Sequence, residues 1–357
     1  MNQQRLARVL RNMERDGLEQ IVVTSTASVY YLTGYWVEPM ERMLALYLRA
    51  DGTCTLFANT LFALEPQKGL ELVLHQDSDE PTAALAAALR PGRLGVDKAW
   101  PSKFLIALLN ARPDVTPVLG SAPVDDARKY KDADEIAAMR HASRINDQVV
   151  EQVIAAVKEG AVESELAAYV DSLYRQHGAD RSSEGQLVCF GPNGADPHHG
   201  PNDTVIKDGD SVVLDIFIPI RRYWCDMTRT VFFRSVSDEG RRVYETVKAA
   251  NLAAEAMIRP GVPMKDIDRA ARKVIEDAGY GPCFTHRLGH GCGLDCHEPP
   301  DNSASSPAVA EPGMVFSVEP GIYLPGKLGV RIEDLVLVTE DGCEVLNHAS
   351  KELRVVE

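Results

Sequence analysis

The chain has 357 residues, 45% of them hydrophobic and 25% charged, the make-up of an ordinary soluble globular protein. Its net charge of −14 argues against nucleic acid or an anionic membrane surface as a partner, because both recruit basic faces. No apolar run approaches the roughly 20 residues of a membrane-spanning helix. The charged N-terminus lacks a signal-peptide core, and seven cysteines without a framework suit a reducing compartment, so a cytoplasmic protein is expected.

In chain order, Arg5 to Asp16 reads as an amphipathic helix and Gln20 to Thr24 as a buried strand. Strands over Met43–Arg49 and Cys54–Ala58 flank the hairpin signal Ala50-Asp51-Gly52. Leu70–Leu74 and Arg93–Val96 are further strands, with a helix over Pro81–Leu89 between them. This alternation predicts a small α/β domain over residues 1–125. Arg112 to Asp126, rich in Pro, Gly, Ser and Asp, reads as a linker. A second domain, 126–357, opens with a helix from Asp132 to about Lys158, followed by helices over Ser164–His177, Asp238–Ile258 and Met264–Ala278. Paired strands lie between and after them, so an α+β arrangement is expected rather than a doubly wound parallel sheet.

The chemistry concentrates in those strands. Asp215 interrupts the apolar run Ser211-Val-Val-Leu-Asp-Ile-Phe-Ile, and Asp226 opens Asp-Met-Thr-Arg-Thr-Val-Phe-Phe after a turn around Pro219–Arg222. Neighbouring antiparallel strands place side chains on one face about 5 Å apart, within reach of a shared metal pair. Glu319 and Glu333 repeat the design on strands over Met314–Val318 and Val330–Val338, separated by Pro325-Gly326. Any one of these acids alone would read as a surface or capping residue. Four acids set into four apolar strands need cations between them, because unpaired buried charge is costly. His290, between Gly289 and Gly291, complements them as a neutral fifth ligand, an oxygen-rich set suited to two divalent ions. His198, His286 and His297 are candidates for proton transfer and oxyanion stabilisation. Arg331, two residues before Glu333, points to the same strand face and is placed to hold that carboxylate or a substrate oxygen. Cys225 and Cys292 read as packing residues near the site.

The ordered set resembles the pita-bread metallopeptidase family, which includes Xaa-Pro dipeptidase (prolidase), aminopeptidase P and methionine aminopeptidase. The matching residues are Pro197-His198, Asp215, Asp226-x-Thr-Arg-Thr, His286-x-x-Gly-His290-Gly, His297-Glu298, Glu319-Pro-Gly-Ile-Tyr and Val330-Arg-Ile-Glu333-Asp. Tyr31-Leu-Thr-Gly34 and Glu41-Arg42 extend the resemblance to the creatinase/prolidase N-terminal domain, which methionine aminopeptidases lack. The implied fold is an α+β pita-bread catalytic domain preceded by a smaller α/β creatinase-like domain.

The resemblance implies a two-metal exopeptidase that hydrolyses the bond before proline. Asp215, Asp226, His290, Glu319 and Glu333 would bind two divalent ions, manganese first and cobalt or zinc as alternatives, with Asp226 and Glu333 bridging. Glu319 would carry a proton to the prolyl nitrogen, His297 would meet the carbonyl oxygen, His198 and His286 would flank the prolyl side, and Arg331 would hold Glu333. A homodimer acting on proline-containing peptides is implied, either as an Xaa-Pro dipeptidase or as an aminopeptidase P. A non-catalytic peptide-binding protein on the same scaffold is the distant alternative, and it predicts eroded ligands. One departure bears on the choice. Prolidases often carry an arginine shortly after the His-Glu motif to grip a dipeptide's carboxylate. This chain reads Pro299-Pro-Asp301-Asn-Ser-Ala-Ser-Ser there, so either another base, such as a partner's residue equivalent to Arg42, supplies the grip or longer peptides enter.

Overall fold

The computed structural model describes residues 1–180 and 185–357, and the chain divides into two compact units, Met1–Arg128 and Lys129–Glu357. The first unit is a six-stranded mixed sheet built from β1 (Gln20–Val23), β2 (Ala45–Arg49), β3 (Cys54–Asn59), β4 (Glu71–His75), β5 (Gly92–Val96) and β6 (Val115–Leu119). The spatial order is β4-β3-β2-β1-β5-β6. Helices α1 (Gln3–Arg15), α2 (Thr26–Thr33), α3 (Pro81–Ala88), α4 (Ser102–Ala111) and α5 (Ala122–Arg128) accompany it. The expected linker at 112–126 is corrected: those residues form β6 and α5. Strand β6 pairs only with β5, parallel, and such an edge position tolerates Pro117 and exposed polar residues that a central strand would not. Helix α5 is tied to the rest of its unit by Asn12 Nδ2 donating to the Pro123 carbonyl (2.8 Å) and Tyr31 Oη donating to that of Ala127 (3.1 Å).

The second unit holds two helix pairs, each laid against strands. Helix α6 (Ala133–Ala156) starts at a capping box, Asp132 accepting from the Glu135 amide and Glu135 from the Asp132 amide. It packs with α7 (Glu163–Gln176) on β7 (Leu187–Phe190), β8 (Ser211–Ile220) and β9 (Tyr223–Phe233), through Val149, Val153, Val170, Phe190 and Leu214. Helices α8 (Asp238–Met257) and α9 (Met264–Asp277) cover the other half, where Val247, Ile267, Phe316 and Val336 form the core. That half contains β10 (Gly289–Gly291), β11 (Glu298–Asn302), β12 (Val315–Val318), the hairpin β13 (Gly321–Leu324) and β14 (Leu328–Arg331), then β15 (Asp334–Val338) and β16 (Cys343–Val345). Strand β17 (Val355–Val356) returns to pair with β9. This is the α+β pita-bread arrangement. Among the described residues no helix is long and apolar enough to cross a membrane.

Two features position the site. The β8–β9 hairpin turns through Arg221 and Arg222, both at positive φ (54° and 72°), the two-residue geometry that matches strand twist. The turn fixes the register Ile220↔Tyr223, and therefore Phe217↔Asp226 and Asp215↔Thr228, so these four side chains share one face. Behind the site, the fully buried Arg229 joins the halves. Its guanidinium donates to Asp334 Oδ1 (2.6 Å) and to the carbonyls of Glu333 (2.6 Å) and Ala349 (2.8 Å). Lys351 reaches the other Asp334 oxygen at 2.8 Å, and Asn251 Nδ2 donates to the Val318 carbonyl (3.0 Å).

Removing Arg229 would leave one oxygen of the buried Asp334 carboxylate and two carbonyls without this donor. Arg229→Ala should cost about 3–5 kcal/mol in denaturant unfolding of the second unit. A loss below about 1 kcal/mol, typical of a surface substitution, would contradict the role given to this residue.

Candidate metal centre

All nine sequence-predicted site residues line one cavity of about 540 Å3: Asp215, Asp226, His290, Glu319 and Glu333 with His198, His286, His297 and Arg331. Leu187, Pro197 and Phe217 supply an apolar wall, and Arg287 and Cys296 complete the lining. The two aspartates fall on one face of consecutive antiparallel strands, as expected. Asp215 stands opposite Thr228 and Asp226 opposite Phe217, so the two acids are diagonal neighbours on that face. The expected single strand over 330–338 is corrected to two strands, β14 ending at Arg331 and β15 beginning at Asp334. Strand β12 pairs with β15 through Val318↔Asp334, and β13 with β14 through Gly321↔Arg331. Glu319 and Glu333 therefore sit at the crossing between two sheets, where Pro320 donates no ladder hydrogen bond.

Asp226, His290 and Glu333 each offer a ligand atom within 4.8 Å of the others, and all three are buried. Glu319 Oε1 lies 3.4 Å from His290 Nε2. His290 places Nδ1 at 3.2 Å from the Gly291 carbonyl, which assigns the proton to Nδ1 and turns the Nε2 lone pair toward the carboxylates. Its ring is neutral, with the pKa pushed down to about 3 by burial and the neighbouring His297. The Ser317 hydroxyl accepts from the His290 amide (3.0 Å) and donates to Glu319 (3.0 Å), coupling the imidazole strand to the acid. Glycine is required beside it, since a Cβ at Gly289 would come within 2.1 Å of the Ser317 carbonyl oxygen.

Arg331 does not hold Glu333. Its three nitrogens donate to Thr228 Oγ1 (3.1 Å), Tyr323 Oη (2.9 Å) and Asp215 Oδ2 (2.7 Å). Thr228 Oγ1 in turn donates to Glu333 Oε2 (2.7 Å), so the contact expected for the arginine is made through a hydroxyl. Tyr323 Oη lies 2.8 Å from His286 Nε2, and His286 Nδ1 lies 2.7 Å from the Arg287 carbonyl. The relay assigns the Nδ1–H tautomer, and burial together with Arg331 pushes the His286 pKa down to about 4. Thr228 and Tyr323 were present in the sequence motifs, but only their hydrogen bonds reveal what they do. His297 stacks obliquely on His290 with ring centroids 3.8 Å apart, and burial lowers its pKa. His198 stands exposed at the rim. Cys225 and Cys292 are fully buried packing residues, whereas Cys296 reaches the site, its Sγ 3.2 Å from Asp226 Oδ2.

The donor set fits divalent cations. Among the described residues Asp215 Oδ1 is buried without a hydrogen-bond partner. Among protein groups alone, burial and mutual repulsion raise the pKa values of Asp226 and Glu333 well above the carboxylate range. Burial also raises Glu319, to about 7, with Arg331 opposing and Asp215 reinforcing the shift. Bound cations remove that repulsion.

Two family models match the chain: "Creatinase/Prolidase N-terminal domain" over residues 5–130 and "Metallopeptidase family M24" over 137–340. A Staphylococcus aureus (strain USA300) protein described as an uncharacterized peptidase is 35% identical over 357 residues, covering 97% of this chain and 99% of its own. A crystal structure of recombinant prolidase from Thermococcus sibiricus is similar at TM-score 0.94 and 35% identity, covering 100% of both chains. A crystal structure of dipeptidase PepE from Mycobacterium ulcerans is similar at TM-score 0.91 and 35% identity, covering 99% of this chain and 97% of that one.

Glu319, raised from 4.5 to about 7, stabilises the metal-free protein fully below about pH 4.5 and loses that contribution as pH rises through about 7. Asp226 and Glu333 act in the same direction. Chelator-stripped protein should therefore unfold at lower denaturant near neutral pH than near pH 5, and added Mn2+ should recover more stability at the higher pH. A metal-free stability that rises steadily from about pH 5 to 7.5 would contradict this account of the centre.

Proposed function

The chain belongs to metallopeptidase family M24, and from that premise we propose that it is an Xaa-Pro dipeptidase. The observation that carries the reading is the buried Asp226–His290–Glu333 cluster, flanked by Asp215 and Glu319 and opening on a cavity with an apolar wall. Similar solved proteins described as prolidase and dipeptidase support the substrate class. These five residues would hold two divalent cations. When bound, such a pair supplies an acidified water and a Lewis acid at neutral pH.

The side chains then divide the remaining work. His297, neutral beside His290, donates to the carbonyl oxygen that precedes proline as charge develops there. Glu319 carries a proton to the prolyl nitrogen, a tertiary amide nitrogen that has none of its own and must gain one to leave. Arg331 fixes Asp215 and, through Tyr323, orients His286 toward the prolyl side. Leu187, Pro197 and Phe217 receive the apolar ring, and His198 closes the rim. Manganese as the working ion suits an oxygen-rich donor set. A homodimer follows the family resemblance, and a cytoplasmic location suits seven free cysteines.

Chelator-stripped enzyme should cleave Ala-Pro only after Mn2+ is restored. Cleavage of Ala-Pro-Ala in preference to Ala-Pro would make it an aminopeptidase P instead, and silence on both with metal bound would refute the substrate class. Asp226→Ala should lose metal content and nearly all activity while retaining its circular dichroism, and full activity in that variant would sink the two-metal assignment.

A further inference from the structure

We infer that Arg287 grips the free carboxylate of the dipeptide, and that Asp301 holds the guanidinium in place as a stand-in for that carboxylate. The inference rests on the dipeptidase reading above and adds the group that confines the enzyme to dipeptides.

In any Xaa-Pro dipeptide the carboxylate is bonded to the proline Cα, which is bonded to the scissile nitrogen. It therefore lies within about one residue length, roughly 3.5 Å, of the bond that breaks. Its receptor must be a cation on the cavity wall beside the centre. Two arginines line that wall. Arg331 is excluded, since it is buried and its three nitrogens are committed to Thr228, Tyr323 and Asp215. Arg287 has the opposite character. Its side chain is 41% exposed, and Nη1 donates to Asp301 Oδ1 at 2.9 Å. Among the described residues its other two nitrogens have no protein partner, so Asp301 is the one side chain that competes with an incoming carboxylate for the guanidinium.

The backbone around Arg287 is fixed while the head group stays accessible. Its carbonyl receives the His286 Nδ1 hydrogen bond (2.7 Å), and the next amide, of Leu288, donates to Asp268 Oδ1 (3.1 Å). Asp301 stands opposite His290 in the β10–β11 register, so the ion pair lies about one strand spacing, roughly 5 Å, from a proposed metal ligand. Asp301 is itself 40% exposed, its second oxygen held by the Ser303 hydroxyl. Exposed ion pairs of this kind contribute little, so a substrate carboxylate can take the fork from Asp301. The arginine missing after the His-Glu motif is thus replaced by one that precedes β10 and meets the same place across the strand pair.

The test compares kcat/KM for Ala-Pro and for Ala-prolinamide, which lacks the carboxylate, using Mn2+-loaded wild type, Arg287→Ala, Arg287→Lys and Asp301→Asn. Wild type should prefer the acid. Arg287→Ala should lose about tenfold to a hundredfold on Ala-Pro, mostly in KM, with the amide changed less than about twofold. Arg287→Lys should keep part of the preference, because it retains the charge without the fork. Asp301→Asn should lower KM for Ala-Pro by removing the competing carboxylate. An equal fall on both substrates, or an unchanged Ala-Pro rate in Arg287→Ala, would overturn the assignment. If Arg287→Ala does not fold, Arg287→Lys decides by the same ratio, an undiminished preference overturning it. Wild type inactive on both substrates would instead refute the dipeptidase reading itself.

Discussion

Everything in the second unit answers to the crowding of buried acidic side chains around one cavity. Asp226 and Glu333 are buried together beside Glu319, and burial and mutual repulsion both oppose their ionisation. Left alone, such a group protonates or separates. Here it can do neither freely, because each acid sits on backbone fixed by other demands. Asp226 is set by the register of the β8–β9 hairpin, and Glu319 and Glu333 by the crossing between two sheets. The framework supplies a standing demand for cations, which is the thermodynamic basis for binding them.

Adjacent residues show how local the control is. Glu333 faces other carboxylates and its pKa is raised, whereas Asp334, the next residue, faces Arg229 and Lys351 and its pKa is lowered. Both are buried, and their different partners, carboxylates for Glu333 and cations for Asp334, decide their fates. Positive charge is divided accordingly. Arg229 and Lys351 stand behind the sheet and neutralise a structural acid, while Arg331 stands at the cavity and restrains Asp215. No protein cation is spent on Asp226 or Glu333 among the contacts of the described residues, which leaves their charge for the ions.

The sequence made the acids and His290 legible because each interrupts an apolar run or stands beside glycine, a local signal, whereas the flanking histidines were legible through the motifs they share with the family. The expected helices have boundaries within a few residues of those observed, as with the Asp132–Glu135 capping box that opens α6, whereas α2 and α4 carried no signal that was read. Partners were not legible. The two-residue stagger between Asp215 and Asp226 depends on a turn at Arg221-Arg222, which carries none of the usual Asn-Gly signature. The break in 330–338 leaves no mark in the apolar pattern, because both resulting strands are buried. Strand β6 reads as linker in the sequence because an edge strand tolerates the residues that loops prefer. Thr228 and Tyr323 lay within motifs read for their neighbours, and their roles are hydrogen bonds to residues up to 105 positions away.

Arg287 and Asp301 carry the same lesson into substrate recognition. A motif read along the chain looks for an arginine at a set distance after His297-Glu298 and finds an aspartate. A strand pair, however, gives each position a second neighbour, and the residue adjoining Asp301 in space lies 14 positions earlier in sequence. What the chemistry requires is a guanidinium at one point on the cavity wall, and either strand of the β10–β11 pair can deliver it. The aspartate is then no defect in the site. It is a counterion that keeps an exposed arginine oriented and gives way to a carboxylate of the same shape, so the departure from the expected motif and the means of compensating for it are one feature.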